Sequence, residues 1–256
     1  MIVRKTAGEL EKMRRSGLLV WQILEELKKL VKPGVTTWDL EQAAGKLMAD
    51  AGAKPAFKGY YVPAVGKVYN FVLCTSVNSE IIHGLPSARR ILRRGDIVKI
   101  DTGLSMEGYF GDSATTVPVG EIDPEIQRLL RVTQEALDLA VGKVKDGNRL
   151  FDICSVVQHH VETNGYSVVR EFVGHGIGTK LHEDPQVPNF VDPRNTNPRL
   201  KPGMVLAIEP MVCAGSPDTR VLEDRWTAVT KDGSHSAHFE HCVAVTNNGP
   251  WILTQP

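Results

Sequence analysis

The sequence lacks several features that would assign it to a specialised class of protein. It has no net charge, because 30 Lys and Arg residues balance 30 Asp and Glu residues. A neutral chain has no overall field that would attract nucleic acid or an anionic membrane. No apolar run approaches the roughly 18 residues of a membrane-spanning helix, and the first residues are polar too early for a signal peptide. We therefore expect a cytoplasmic protein with no specific affinity for nucleic acid or membranes.

Cysteine is also scarce. The four cysteines form no Cys-x-x-Cys pair and lie mostly among apolar residues: Cys74, Cys154, Cys213 and Cys242. This pattern predicts free thiols in a reducing compartment and no disulfide framework. Hydrophobic residues make up 42% of the 256 residues, which is enough for a sizeable core. The length fits one large domain or two average ones.

Capping signals predict four helices. Their starts are the capping box Thr6-Ala-Gly-Glu9, Thr36 or Thr37, Asp123 followed by Pro124, and roughly Arg149. The third helix is predicted to end near Gly147 and the fourth near Asn164. Extended segments and Pro- or Gly-rich loops, including the long loop 187–202, fill the remainder. This alternation predicts an α+β fold.

The order of these signals repeats along the chain. Val31–Leu40 matches Val144–Ile153 at a constant offset of 113, and Gly95–Asp101 matches Gly203–Glu209 at an offset of 108. His83-Gly84 has a counterpart in His175-Gly176. Three matches in the same order indicate a duplicated unit. We predict a single domain over residues 1–256, built from related halves at roughly 6–120 and 121–250.

The segment from Gly95 to Gly120 predicts a β-hairpin that carries two aspartates. Two runs with β character flank a turn at 105–108. With a four-residue turn there, Asp101 faces Asp112 directly across the strands. Opposed like charges roughly 5 Å apart destabilise a hairpin, so the pair requires a cation or a shared proton. Taken alone, the two residues fit exposed turn aspartates equally well.

The repeat points to further acidic residues for the same site. Glu209 matches Asp101, and Glu240 precedes an apolar strand much as Asp112 does. Four carboxylates at one partly buried place require cations. His175, flanked by glycines, favours first-row divalent metals over calcium or magnesium. Five ligands suit two divalent ions that clamp a water, typically about 3.5–4 Å apart.

Each of these residues also has an ordinary interpretation. Glu209 alone fits a salt bridge at the end of a strand, and His175 alone fits a hydrogen bond within a loop. His83 and His182 are not assigned by counting metal ligands. Near a metal-bound water, an imidazole can pass protons or donate to an oxyanion, but both also fit ordinary core or surface histidines.

These motifs resemble those of type I methionine aminopeptidases, across about residues 4 to 249. The matching segments are Lys99–Asp101 with Gly111-Asp112, Gly174–Gly178, Leu181–Val187, Ala207–Met211, Phe239–His241, and Cys74–Asn78 through Ile82–Pro86. The resemblance implies the pita-bread fold, with two pseudo-symmetric halves, an antiparallel sheet at the centre and helices outside. It also implies hydrolytic removal of the initiator methionine from nascent proteins and peptides when the next residue is small.

The resemblance implies a set of metal ligands. Asp101 would chelate one divalent ion, His175 and Glu209 would bind the other, and Asp112 and Glu240 would bridge both. Cobalt, manganese, iron, zinc and nickel all accept such mixed oxygen and nitrogen ligands. A bridging water or hydroxide would be the nucleophile.

By the same resemblance, Glu209 would accept a proton, His182 would steady the oxyanion, and His83 would contact the substrate amide or amine. The methionine pocket would be lined by Tyr60, Tyr69, Cys74, Leu181, Met211 and Trp226. A monovalent cation, Na⁺ or K⁺, would be held at Asn78, Glu80 and Ser236. The chain resembles the short bacterial form of the family.

One segment departs from the family pattern. The stretch Gly59–Cys74 is several residues longer than its counterparts, with the extra residues placed at Tyr61–Gly66. This insertion bears on the assignments of Tyr60 and Tyr69 and on the shape of the pocket rim.

Two alternatives remain open. The first is a prolidase or aminopeptidase P activity, although those enzymes normally carry a large N-terminal domain for which residues 1–5 leave no room. The second is a non-catalytic binding relative, which would be expected to have lost ligands. The expected partners are peptides and nascent chains with N-terminal methionine. We expect a monomer, and association with the ribosome is left open.

Overall fold

Helices and strands occur in a repeated order in the described residues, 1–63 and 65–256, of this computed structural model. The first group consists of α1 (Ala7–Leu30), α2 (Thr37–Asp50), β1 (Lys54–Pro55), β2 (Tyr61–Val62), β3 (Lys67–Val68), β4 (Leu73–Val77), β5 (Glu80–Ile82), β6 (Ile97–Met106) and β7 (Tyr109–Pro118). The α+β class is confirmed by this mixture of helices and antiparallel strands.

The second group again begins with two helices. It consists of α3 (Pro124–Gly142), α4 (Leu150–Thr163), β8 (Ser167–Val168), β9 (Gly174–Gly176), β10 (Glu183–Val187), β11 (Val205–Ile208), β12 (Met211–Cys213), β13 (Thr219–Val221), β14 (Ala228–Thr230), β15 (Ser236–His238), β16 (His241–Thr246) and β17 (Gly249–Ile252). None of the described helices has the length and apolar character that a membrane crossing requires.

The helix starts follow the capping signals. Thr6 and Glu9 form a complete capping box, in which the Thr6 side chain accepts from the Glu9 N–H and the Glu9 carboxylate accepts from the Thr6 N–H. Such a cap contributes about 1 kcal/mol. Asp123 caps α3 as predicted, but α3 ends at Gly142, several residues before the predicted end at Gly147. The N–H of Gly147 donates instead to the Leu200 carbonyl, so this segment belongs to a turn that packs on a neighbouring loop.

Two antiparallel sheets meet at the middle of the molecule. In the first, β6 pairs with β1, β4 and β7; the second has the order β10-β9-β11-β16-β17. Strand β7 contacts residues 238–240 through hydrogen bonds from Ser113 Oγ to the Glu240 carbonyl (2.6 Å) and from Thr116 Oγ1 to the His238 carbonyl (2.7 Å). We call this line of contact the seam. It brings the strands of the two groups together.

The register of the β6–β7 hairpin differs from the sequence prediction. The turn has two residues, Glu107 and Gly108, both with positive φ, which is the conformation that matches the twist of a tight hairpin. Asp101 therefore pairs with Ala114 and Asp112 pairs with Gly103, so the prediction that the two aspartates face each other directly is wrong. They are diagonal neighbours. A shift by two positions keeps both side chains on the same face of the sheet.

The helices cover the outer sides of the sheets. The buried faces of α1 and α2 pack on β4 and β6 in one core cluster, and those of α3 and α4 pack on β11 and β16 in another. Burial of these apolar faces supplies the main driving force for folding. The inner face at the seam is left for polar side chains and a cavity.

Candidate metal centre

A cavity of about 450 Å³ lies on the inner face of the seam, and we call it the front cavity. All five predicted metal ligands line it: Asp101, Asp112, His175, Glu209 and Glu240. They come from β6, β7, β9, the residue after β11 and the residue before β16. The sheet pairing thus gathers side chains that are up to 139 positions apart in the sequence.

The glycines on either side of His175 have a packing role. Strand β9 lies between β10 and β11, with His175 opposite Ala207. A Cβ atom on Gly174 would come within 2.3 Å of the Ala207 carbonyl oxygen, and one on Gly176 within 2.1 Å of the Asp184 carbonyl oxygen. Only glycine fits such approaches. The Gly-His-Gly pattern therefore holds the imidazole close to the neighbouring strands.

The ligand atoms of Asp112, His175 and Glu240 all lie within 4.8 Å of one another. His175 Nε2 is 3.8 Å from Asp112 Oδ2 and 3.9 Å from Glu209 Oε1. One oxygen each of Asp101, Asp112 and Glu240 is buried and has no hydrogen-bond partner in residues 1–63 and 65–256. Buried carboxylate oxygens nearly always have partners, so these three indicate a place for cations.

Burial also changes the protonation of these groups. It raises the pKa of Asp101 to about 7 and that of Glu209 to about 8. The pKa values of Asp112 and Glu240 lie well above their usual range, first because of burial and then because of the neighbouring carboxylates. Burial lowers the pKa of His175 to about 3, so its imidazole is neutral and able to act as a ligand. Four carboxylates and a neutral imidazole fit first-row divalent metals.

The two predicted catalytic histidines lie at the same cavity. His182 stands at the mouth, where its Nδ1 is 2.8 Å from the Tyr60 hydroxyl and its ring centroid is 4.3 Å from that of His175. His83 packs edge-on against Phe172, with ring centroids 5.7 Å apart. Its backbone has φ 58°, in the left-handed region that few non-glycine residues occupy, histidine more often than most.

A comparison with known proteins places this geometry in a family. Residues 11–247 match the profile of metallopeptidase family M24. The chain belongs to metallopeptidase family M24. The expected enzyme class, a metal-dependent peptidase, is thereby confirmed.

Relatives within the family match over the full length of the chain. Methionine aminopeptidase 1 of Bacillus subtilis is 49% identical over 255 residues, covering 100% of both chains, and the methionine aminopeptidase of Aquifex aeolicus is 46% identical, covering 96% of both. The crystal structure of the Thermotoga maritima methionine aminopeptidase matches with a TM-score of 0.95, 46% identity and complete coverage of both chains. The prolidase of Pyrococcus furiosus, 23% identical, shares the fold with a TM-score of 0.79, over 99% of this chain and 66% of its own. The pita-bread fold is confirmed.

The walls of the front cavity in this M24 enzyme are largely apolar. Five of the six predicted pocket residues line it: Tyr60, Tyr69, Cys74, Leu181 and Trp226. The sixth, Met211, is fully buried in a cluster with Ile81 and Ile82, one layer behind Phe172, which does line the cavity. The structure therefore places Met211 as a support of the wall. The cavity is also lined by residues that were not predicted from the sequence: Phe57, Val62, Val65, Phe172 and Val221.

The segment that departs from the family pattern forms part of the cavity rim. Strands β2 and β3 pair as a short ribbon, with Tyr61 opposite Val68. Val62, Pro63 and Val65 line the cavity, while Ala64 lies outside the described residues. The extra residues thus extend one wall, and Tyr60 and Tyr69 on either side of the ribbon keep their places at the cavity.

The residues expected to hold a monovalent cation lie together, but a side chain of the enzyme is already among them. Lys99 Nζ donates to the carbonyl oxygens of Asn78 (2.6 Å) and Ser236 (3.0 Å). The Glu80 carbonyl oxygen accepts from Ser236 Oγ. Burial lowers the pKa of Lys99 to about 7. The expectation was a free ion, but in the structure the Lys99 amine contacts the carbonyl oxygens of Asn78 and Ser236.

His238 is a buried residue at the site that the sequence analysis did not identify. Its Nε2 lies 3.5 Å from Glu209 Oε2, and neither ring nitrogen forms a hydrogen bond within the described residues. Burial lowers its pKa to about 4, so a neutral imidazole lies beside the Glu209 carboxylate. The sequence did offer one indication, since His238 lies two residues before Glu240 and alternate residues of an extended segment point to the same face.

Proposed function

We propose that this enzyme removes the N-terminal methionine from peptides and nascent proteins whose next residue is small. The observation that carries the proposal is the cluster of partnerless buried carboxylate oxygens at the floor of an apolar cavity. Full-length relatives named methionine aminopeptidase support the choice of substrate.

The proposed centre holds two divalent ions. Asp101 would bind one, His175 and Glu209 the other, and Asp112 and Glu240 both. When bound, the ions would neutralise the acids, polarise the scissile carbonyl and make a water nucleophilic near neutral pH. Their identity among cobalt, manganese, iron, zinc and nickel depends on availability in the cell.

The apolar wall selects the first side chain of the substrate. The rings of Tyr69 and Trp226 contact edge to face, with centroids 5.0 Å apart, and the Tyr69 hydroxyl donates to the Leu73 carbonyl at 2.8 Å. These contacts hold the wall rigid. An unbranched thioether packs well against aromatic rings, so methionine suits this slot better than a charged or β-branched side chain.

Three side chains hold or move protons in the proposed reaction. Glu209, whose pKa burial raises, accepts a proton at its carboxylate and returns it to the leaving amine. His182 has Nδ1 engaged by Tyr60, which leaves Nε2 to donate to the developing oxyanion. His83, on the wall beside Phe172, is placed to contact the substrate amide or amine.

The site also bears on the organisation of the chain. Asp101 and Asp112 lie before residue 121 and His175, Glu209 and Glu240 lie after it, so neither part of the sequence holds the complete ligand set. We propose that residues 6–120 and 121–250 are related halves of one domain. The enzyme would act as a monomer in the cytoplasm, where nascent chains carry the initiator methionine.

The test compares two peptide series with the purified enzyme. Met-Ala-X and X-Pro-X peptides are offered with Co²⁺, Mn²⁺, Zn²⁺, Ni²⁺ or, without oxygen, Fe²⁺. We expect cleavage of Met-Ala-X, and none with a chelator present. Cleavage of X-Pro-X alone would replace the proposal with a prolidase activity, and no cleavage of either series with any ion would indicate a binding protein.

A further inference from the structure

Lys99 is a buried lysine in an unusual environment. It lies in the middle of β6, two residues before Asp101, with only 1% of its surface exposed. No carboxylate forms an ion pair with it in the part of the chain that the structure describes. A buried charge without an opposite charge is normally very costly, so its surroundings must compensate in another way.

Oxygen dipoles supply the compensation. Lys99 Nζ donates to the Asn78 carbonyl at 2.6 Å, the Ser236 carbonyl at 3.0 Å and Ser236 Oγ at 3.3 Å. Three acceptors match the three N–H groups of an ammonium, whereas a neutral amine has only two. A shell of carbonyl and hydroxyl oxygens is also the type of ligand set that replaces the hydration of a potassium ion.

The oxygens around Lys99 are held in place independently of the lysine. Asn78 has φ 55°, its N–H donates to the Ile97 carbonyl, and its side chain bonds both Asp96 and the Ile97 N–H. The Ser236 N–H donates to the Asn78 carbonyl at 3.1 Å. The shell is therefore rigid, and its oxygens would still point inward if the amine were removed.

We propose that the Lys99 ammonium is a built-in substitute for a monovalent cation, and that removing it creates a binding site for K⁺ or Na⁺. The ammonium links β6, which carries Asp101, to the turn at Asn78 and to β15, which leads to Glu240. Because the amine is a covalent part of the chain, this link does not depend on salt. The inference rests on the fold and does not depend on the proposed substrate.

The first measurement uses the unaltered enzyme, so it needs no variant that folds. Its thermal midpoint is compared in KCl, NaCl and choline chloride at equal ionic strength, with a chelator present to remove divalent metals. We expect the same midpoint in all three salts. A saturable rise with K⁺ or Na⁺ over choline would overturn the proposal, because it would show that a monovalent ion still binds.

The second measurement uses Lys99→Ser. Loss of the ammonium removes one donor from each of these buried oxygens, and we expect the midpoint in choline chloride to fall by about 5–10 °C. K⁺ or Na⁺ should restore part of this loss along a saturation curve. An equal midpoint in the three salts would contradict the proposal.

Two further variants separate charge from packing. Lys99→Gln keeps two N–H donors on a side chain one atom shorter but removes the charge, so we expect it to be less stable than the parent protein. Parent-like stability in choline would show that no cation is required. Lys5→Ser removes another buried lysine, one that pairs with Glu183 at 2.7 Å. We expect it to lose stability without a saturable response, and a response equal to that of Lys99→Ser would mean that any deleted lysine produces it.

Discussion

Two cavities flank the seam, and they differ in whether the polar groups that line them are satisfied. The front cavity contains the five predicted metal ligands. The second, which we call the rear groove, has a volume of about 340 Å³ between α1 and α3 and is lined by Trp21, Leu24, Glu25, Lys28, Ser113, Ala114, Thr115, Gln134, Leu137, Asp138, Phe239, Glu240, His241, Thr254 and Gln255. Successive residues of a strand point to opposite faces. Asp112 therefore lines the front cavity, while Ser113 and Thr115 line the rear groove.

The polar groups of the rear groove bond to one another. Ser113 Oγ donates to the Glu240 carbonyl at 2.6 Å, the His241 ring lies 2.9 Å from the Thr254 hydroxyl, and Gln134 donates to Asp138 at 3.0 Å. In the front cavity, by contrast, three carboxylates have a buried oxygen that lacks a partner among the described residues. The difference shows that polarity alone does not mark a site. Several unsatisfied carboxylates in one place indicate a cation site, and this is why we assign the chemistry to the front.

The largest expected effect comes from altering the front carboxylate that we assign to proton transfer. Glu209→Gln keeps the size of the side chain but removes its charge and its basicity. We expect kcat to fall about 10²–10⁴-fold, the usual contribution of a general base, with bound divalent metal also reduced. Steady-state kinetics on a Met-Ala-X peptide and metal analysis of the dialysed protein measure both effects.

The matched control for this change lies in the rear groove. Asp138→Asn makes a similar neutral substitution in a residue whose partner, Gln134, bonds an amide equally well. We expect kcat and metal content within about two-fold of the parent, as is usual for partly exposed polar groups that are not in the site. Equal losses in Glu209→Gln and Asp138→Asn would remove the distinction between the two cavities.

The next effect concerns the mouth of the front cavity. His182→Ala removes the N–H that we assign to the oxyanion, and we expect kcat to fall about 10²–10³-fold, as for other donors of this kind, with KM and metal content nearly unchanged. His241→Ala is the rear counterpart and should leave kcat near the parent value. A rise in KM alone for His182→Ala would indicate a role in substrate binding.

Stability against pH should also distinguish the metal-free enzyme from the loaded one. Burial raises the pKa of Asp101 to about 7 and that of Glu209 to about 8, while in the unfolded chain both carboxyls titrate near 4. The folded protein therefore holds more protons between these values. The stability that these two carboxyls contribute is fully present below about pH 4, and it is lost progressively as pH rises through about 7–8.

Thermal midpoints at several pH values, with a chelator and with Mn²⁺, test this prediction. The chelated protein should become less stable from about pH 6.5 to pH 8, because below this range His83, His175 and His238, whose pKa values burial lowers, have the opposite effect. Manganese should stabilise it most at the upper end, because the ionised carboxylates bind the metal and only the folded chain holds them together. A midpoint of the chelated protein that rises over this range would contradict the raised pKa values.

Local patterns predicted much of the fold. The capping box at Thr6 and the Asp123 cap are decided by residues three or fewer positions apart, so they are visible in the sequence. The hairpin register was missed because a tight turn with two positive φ angles usually carries Asn-Gly or Asp-Gly, and here it is Glu107-Gly108. The shift was by an even number of positions, so Asp101 and Asp112 stayed on one face and both line the front cavity.

Residues whose role depends on distant packing were not predictable. Lysine in a strand is normally exposed, and nothing in the sequence indicated that Lys99 meets Ser236, which is 137 positions away. The contact of His238 with Glu209, the residue after β11, likewise depends on packing, although the spacing of His238 from Glu240 is visible in the sequence. Met211 was assigned to the pocket by resemblance, but its place behind Phe172 depends on how β12 packs between β8 and β15.

The smallest expected effect comes from changing a residue at the rim of the front cavity. Val65, in the extra segment, lines the cavity beside Val62. Val65→Ser removes apolar surface from the wall without touching the carboxylates, so we expect KM for Met-Ala-X peptides to rise about ten-fold, the low end of the range for small changes in an apolar pocket, because Val65 lies at the rim. Unchanged kcat would place this residue in binding alone. Val68→Ser, on the exposed side of the same ribbon, is the control and should change neither value, and a rise in KM shared by both variants would point to loss of the ribbon.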